Sequence, residues 1–205
     1  MNHDVMSELM VGLLFAAHKN ASIGAAQSFC FLKTQTDSKQ CTAAQKEAKE
    51  AYDEGGSLSC LNLIKSCVLE TLRLTAHSIG AIRTVMEPFD LETSDGKLYE
   101  IKKGEVLAVS HILPHHSTQD WGRDSVRFRL DRFQNEKPER LTAFSGGVHM
   151  CPGHKMALVF MEALLSLWLA RDMELVEKGV PSLNFERATL GQRSGKVPVR
   201  MSKTA

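Results

Sequence analysis

The sequence predicts a mainly α-helical fold with small β-sheets, on three observations. Proline-free, apolar-rich stretches of helical length occupy residues 4–33, 58–74 and 156–170. Residues 78–110 break instead into short runs rich in Ile, Val and Leu, separated by turn residues, as strands do. The composition, 43% hydrophobic and 24% charged over 205 residues, suits a globular core.

The first stretch, Asp4 to Lys33, reads as one helix; about 30 residues would run roughly 45 Å and cross a whole domain. Its centre, Phe15 to Gly24, is polar within an apolar run, which by itself reads as a solvated stripe. Thr34 to Gly56 is polar, and the helix formers from Cys41 to Tyr52, stopped by Gly55-Gly56, predict a surface helix. From Leu58 to Leu74, Leu61, Ile64, Leu69 and Leu72 recur at helical spacing. Glu70 and Arg73 lie three apart on one face and can pair. Their neighbours Cys67, Val68 and Leu69 put that pair in the core, where it needs a further partner.

Strands are expected around Ile82–Val85, Phe89–Leu91, Leu98–Ile101 and Val106–Val109. His111, His115 and His116 lack the cysteines or spaced histidine pairs of a structural zinc site, so that reading is rejected. A polar loop covers Gln134 to Arg140, and terminal strands and loops cover Leu175 to Ala205. The run from Met156 to Ala170 contains Glu162 and Ser166 and is short for a membrane span, so it reads as a core helix. A net charge of +1 gives no sign of a nucleic-acid partner. Five cysteines at irregular spacings do not suggest a disulfide framework. Residues 1–30 show no signal peptide.

Phe144-Ser-Gly-Gly-Val-His-Met-Cys151-Pro-Gly153 stands just before that core helix. Proline there marks a helix start. A sulfur at the positive end of a helix is favoured as thiolate, able to act as a metal ligand or a nucleophile. Gly146, Gly147 and Gly153 clear side chains from around the sulfur, as a large flat ligand would require. Phe144 offers an apolar face seven residues earlier.

This stretch resembles the haem-binding signature of the cytochrome P450 family, with Phe144, Gly147, His149, Cys151 and Gly153 at its fixed positions. Three more blocks follow the family's order: the helix around Asn20, Glu70-x-x-Arg73, and Arg132-Phe133 with Leu130 where proline is common. The resemblance implies the C-terminal half of a cytochrome P450-like fold over residues 1–205, binding haem b with Cys151 as the metal ligand. Phe144, Gly147 and Gly153 would shape the cofactor loop, and Arg83 and His149 would meet the propionates. Glu70, Arg73 and Arg132 would form a structural triad. Ala81 and Ile82 would line the cavity, and the histidine-containing loop before Trp121 would serve packing and hydrogen bonding. Asn20 would be the catalytic residue beside the distal oxygen site. Lys19 replaces the family's usual acid and Asn20 its usual threonine; the segment Asn20-Ala-Ser-Ile-Gly-Ala-Ala resembles the branch of sterol 7α- and 12α-hydroxylases and prostacyclin synthase, where Asn also stands at that place.

The function so implied is a haem-thiolate monooxygenase hydroxylating an apolar, sterol- or lipid-like substrate, with dioxygen and electrons from a separate reductase. The sequence shows no flavin or nicotinamide fingerprint of its own. The alternatives are a haem-thiolate isomerase or dehydratase of an oxygenated lipid, and an inactive fragment without haem. Full-length relatives are expected at the endoplasmic reticulum membrane, held by an N-terminal part outside this sequence; the chain itself is expected to lack an anchor. The apolar faces of the Asn20 helix and of the Leu158–Leu169 helix are expected to be exposed, giving poor solubility or partner dependence.

Overall fold

The computed structural model describes residues 3–53, 55, 57–75, 79–135, 138–177, 179–184, 186 and 192–202. Gly56 of the expected glycine stop, Ser78 at the head of the strand region and the last three residues lie outside them. Helix α1, His3–Gln35, runs through the whole first stretch, with Asp4 in its first turn and Lys33 in its last, both suiting the helix dipole. It has two regimes. Residues 4–20 are exposed, whereas Ala21, Ala25, Phe29 and Leu32 recur at helical spacing and are buried. The exposed half carries Leu9, Met10, Val11, Leu13, Leu14 and Phe15, all more than half exposed.

Helix α2, Ser38–Asp53, buries only Ala44 and Ala48, as its polar sequence predicts. Its charged face is not wholly solvated, however. The half-buried Glu47 carboxylate accepts from the backbone N–H of Leu63 at 2.9 Å and of Ile64 at 3.0 Å. Those are orphan donors at the start of helix α3, Asn62–Thr75, so a neighbouring helix supplies its cap. Leu58–Cys60 form a separate 3₁₀ turn instead of joining that helix. Ser57 Oγ accepts from Ser59 N–H, and Leu61 turns the chain before α3 begins.

Strand β1, Ile79–Thr84, is followed by β2, Phe89–Glu92, β3, Leu98–Ile101, and β4, Val106–Ser110. β1 pairs antiparallel with β4, setting Arg83 opposite Leu107, with a bulge between Ile79 and Ile82. β2 and β3 form an antiparallel hairpin whose side chains are mostly exposed. Three short helices follow: α4, Ile112–His116, α5, Thr118–Trp121, and α6, Arg132–Asn135. Helix α7, His154–Ala170, then returns through the core. Two small ladders close the chain: β5, Glu174–Leu175, with β8, Val199–Arg200, and β6, Leu183–Asn184, with β7, Gln192–Arg193.

The main core lies where α1, α2, α3 and α7 meet, around Ala25, Leu32, Ala48, Ile64, Val68 and Leu165. A smaller cluster of Leu69, Trp121 and Phe133 covers the other side of α3. The five cysteines are all free thiols. By length and composition α1 is able to cross a membrane, although its Ala21–Leu32 face packs into the core instead. The expectation of a chain without any anchor-like segment is therefore not carried over.

At Gly24 the crossing of α1 and α7 is closest: a Cβ there would overlap Met161 Sδ, and Met161 is fully buried. Gly24→Val is expected to cost about 1–3 kcal/mol in urea unfolding through overpacking. Part of that loss should return in the Gly24→Val, Met161→Ala double variant. A neutral single variant would refute the close crossing.

Candidate functional site

A buried ion cluster joins α3 to α6. The side chains of Glu70 and Arg73 are completely excluded from solvent. Arg73 binds Glu70 with two parallel bonds, Nε to Oε2 at 2.7 Å and Nη2 to Oε1 at 2.8 Å. Such a fork matches a carboxylate in both charge and plane. Arg132 Nε, on α6, donates to the same Oε1 at 3.0 Å, and the backbone N–H of Arg129 adds a bond at 3.1 Å. The remaining guanidinium donors find carbonyls: Arg73 Nη1 on His115 and Ser125, Arg132 Nη1 on Trp121 and Arg132 Nη2 on Asp124. Arg132 Nη2 also lies 3.4 Å from Asp124 Oδ1. Burial alone would push the Asp124 carboxyl up, but the bond from Arg129 and the charge of Arg132 bring it below the usual carboxylate range. Arg73 also lies 5.1 Å from the centre of the Trp121 ring.

From this cluster the chain leads to the cysteine loop through successive anchors. The Arg140 guanidinium stacks 4.6 Å from the Trp121 ring, and Leu141 packs onto Leu69, Trp121 and Phe133. Thr142 follows, bonded to both His111 and His115. The loop is then closed by its own backbone. Cys151 N–H donates to Phe144 O at 2.9 Å, Ser145 N–H to Thr142 O at 2.8 Å, and Met150 N–H to Gly147 O at 3.1 Å. Gly147 has φ +64°, a region that glycine enters without a Cβ penalty, and Ser145 shares it at +62°.

The Cys151 residue is exposed. Cβ atoms built at Gly146, Gly147 or Gly153 would meet nothing within 4 Å, so the surface beside it is open. Phe144 is half-buried against the core, its ring 6.1 Å from that of His154. An accessible thiol on an open, glycine-lined surface fits a large flat ligand bound through sulfur. Helix α7 begins at His154 with Gly153 as its cap. Pro152 thus lies two residues before the first helical position, because Cys151–Gly153 form a turn in which Cys151 O accepts from His154 N–H.

The structure joins Glu70, Arg73 and Arg132 directly, and holds Phe144, Gly147, Cys151 and Gly153 in one loop. It leaves the other expected residues apart. Asn20 is exposed on α1, next to the buried Ala21. Arg83 is exposed, and its Nη1 donates to Ile82 O at 2.8 Å. His149 is exposed in the 3₁₀ turn Gly147–His149. Among the described residues, no hydrogen bond or ion pair joins Arg83 or His149 to Cys151. Ala81 is half-buried and Ile82 exposed on β1. Sequence reasoning gave the histidine loop a hydrogen-bonding role but missed Thr142 as the shared partner of His111 and His115. The signal was there: two histidines in an apolar setting with no zinc partners need other hydrogen bonds.

Fold and site together define a helical protein presenting one accessible thiol on a glycine-lined surface, backed by a buried carboxylate–guanidinium cluster. The chain belongs to the cytochrome P450 family, whose sequence profile it matches over residues 1–199. It is similar to a sterol 14-demethylase of Arabidopsis thaliana, 28% identical over 95% of this chain and 42% of the relative. It is also similar to a 25-hydroxycholesterol 7-alpha-hydroxylase of Rattus norvegicus, 32% identical over 66% of this chain and 34% of the relative. A 7-alpha-hydroxycholest-4-en-3-one 12-alpha-hydroxylase of Homo sapiens is 30% identical over 67% of this chain and 30% of that protein. The chain therefore spans well under half the length of these curated relatives. The cofactor of the family is haem b.

Glu70→Gln would leave two buried guanidinium groups facing a neutral amide. It is expected to cost about 3–5 kcal/mol in urea unfolding, as removal of one buried ionic partner does. Arg73→Lys should also destabilise, since one ammonium cannot replace the bidentate fork. If Glu70→Gln unfolds at the wild-type midpoint, the cluster does not hold this side of the fold.

Proposed function

We propose that this chain, as one domain over residues 1–205, is the haem-binding portion of a cytochrome P450-type monooxygenase. Its substrate would be apolar and sterol- or lipid-like, hydroxylated with dioxygen and electrons from a separate reductase at the endoplasmic reticulum membrane. The observation that carries this reading is the accessible Cys151 thiol on its glycine-lined loop. The demethylase and hydroxylase names of the similar proteins support the sterol-like substrate.

In this reading Cys151 would hold the iron through its sulfur, and Gly146, Gly147 and Gly153 would leave room for the flat macrocycle. Haem, when bound through thiolate, supplies dioxygen activation for insertion into C–H bonds. Phe144 would cover the sulfur side, while Arg83 and His149, both exposed, would meet the propionates. Glu70, Arg73 and Arg132 would fix α3 to the segment that leads into the loop. Asn20 would place a hydrogen-bonding amide at the distal oxygen site.

A second reading, an isomerase or dehydratase of an oxygenated lipid, is favoured by that same residue. An amide gives and accepts hydrogen bonds but relays protons poorly. The nearby Ser22 hydroxyl is committed to His18 O at 2.8 Å. Neither group offers a free hydroxyl proton for dioxygen cleavage.

The purified chain with added haem, reduced and exposed to carbon monoxide, is expected to show the red-shifted Soret band of thiolate ligation. Cys151→Ser should abolish that band, and a histidine-type spectrum in the wild type would overturn the ligand assignment. To separate the two reactions, a lipid peroxide is added without reductase. Turnover under those conditions selects the isomerase or dehydratase, whereas turnover only with reductase and dioxygen selects the monooxygenase.

A further inference from the structure

We propose that His111, Thr142 and His115 form a latch that positions the Cys151 loop and stays closed only while the His115 imidazole is neutral. Thr142 stands two residues before Phe144, whose carbonyl accepts the Cys151 N–H. Its backbone N–H donates to His115 Nε2 at 3.0 Å, and its Oγ1 lies 3.1 Å from the same nitrogen and 3.0 Å from His111 Nδ1. Both imidazoles are buried, at 5% exposure for His111 and 1% for His115. They lie nearly parallel, with ring centres 6.4 Å apart.

The chemistry of the amide sets the protonation state. A backbone N–H only donates, so His115 Nε2 must present its lone pair and the ring proton sits on Nδ1. That Nδ1 has no hydrogen-bond partner among the described residues, so the ring is held by Thr142 alone. Protonating Nε2 would set N–H against N–H and break the bond. The surroundings also oppose charge. Arg73, from α3, donates to the His115 carbonyl, and His111 and His116 flank the ring on its own segment. Asp120 on α5 is exposed, and no carboxylate bonds either imidazole among the described residues. Burial first, then His111, Arg73 and His116, lowers the His115 ring to about 4. Burial lowers His111 as well.

The sign follows directly. In an open loop the ring regains an ordinary pKa of about 6.5. The closed state is therefore fully favoured above pH 6.5 and progressively lost as pH falls toward 4. From those two values the closed-to-open ratio should drop roughly 25-fold between pH 7.5 and pH 5.0. His111 and His115 act on the loop through Thr142, so they are positioning residues.

Amide hydrogen exchange of the full chain tests this with or without haem, so failure of the latch is distinct from failure of the haem reading. After correction for intrinsic rates, segment 143–151 should lose roughly 25-fold protection from pH 7.5 to pH 5.0, while segment 64–75 keeps its own. His115→Gln offers the amide a carbonyl oxygen that does not titrate, and should flatten the step. Thr142 is exposed, so Thr142→Val leaves the core intact; it removes the hydroxyl but keeps the backbone N–H, so it should weaken protection of the segment at pH 7.5 while the step with pH remains. Constant protection of the wild-type segment over this range overturns the proposal. So does a step of unchanged size in His115→Gln.

Discussion

One buried carboxylate organises this half of the molecule. Glu70 accepts bonds from Arg73, from Arg132 and from the Arg129 backbone, and it has no contact with water. Stripping a carboxylate and two guanidinium groups of solvent is costly, and it is tolerable only because almost every donor has a partner. Those partners are carbonyls of Trp121, Asp124, His115 and Ser125, drawn from the irregular segment between α4 and α6. A stretch with little regular structure thereby acquires a defined path, because each departure would leave a buried charge unpaired.

That path determines where the thiol sits. Trp121 carries the Arg140 guanidinium on one face, Leu141 enters the small apolar cluster, and Thr142 reaches two buried imidazoles. Only then does the chain turn through Ser145 and Gly147 and present Cys151 ahead of α7. The loop has few apolar contacts of its own, so its geometry is borrowed from the ion cluster through these anchors. Such an arrangement leaves an open surface beside the sulfur without surrendering precision in its placement.

Helix α1 is anchored in the same core. From Ala21 onward it packs on α3 and α7, with Gly24 allowing the close crossing over Met161. Its first half, with Leu13, Leu14 and Phe15 exposed, has apolar surface that the described residues do not cover. Asn20 lies at the boundary between these halves. Whatever meets the exposed half therefore also shapes the surroundings of Asn20.

The short helices were not legible in the sequence: the expected polar loop over Gln134–Arg140 begins inside α6 and ends in a 3₁₀ turn. The long helices α1, α2, α3 and α7, the burial of Glu70 and Arg73 and the accessible Phe144–Gly153 stretch were legible in the sequence alone. Each is local: helical periodicity, a three-residue charge spacing and a glycine-rich turn are properties of neighbouring residues. The family relationship was legible for the same reason, since its signature fits within ten residues. The tertiary structure decided what depends on distant partners. Only it shows Glu47 of α2 capping α3, Leu58–Cys60 held apart from that helix, and Thr142 shared by His111 and His115. Those bonds cross up to 31 residues, and no local spacing encodes them. The thiol loop could be recognised from sequence, but its support could not, because hydrogen bonds between remote segments exist only once the core has brought them together.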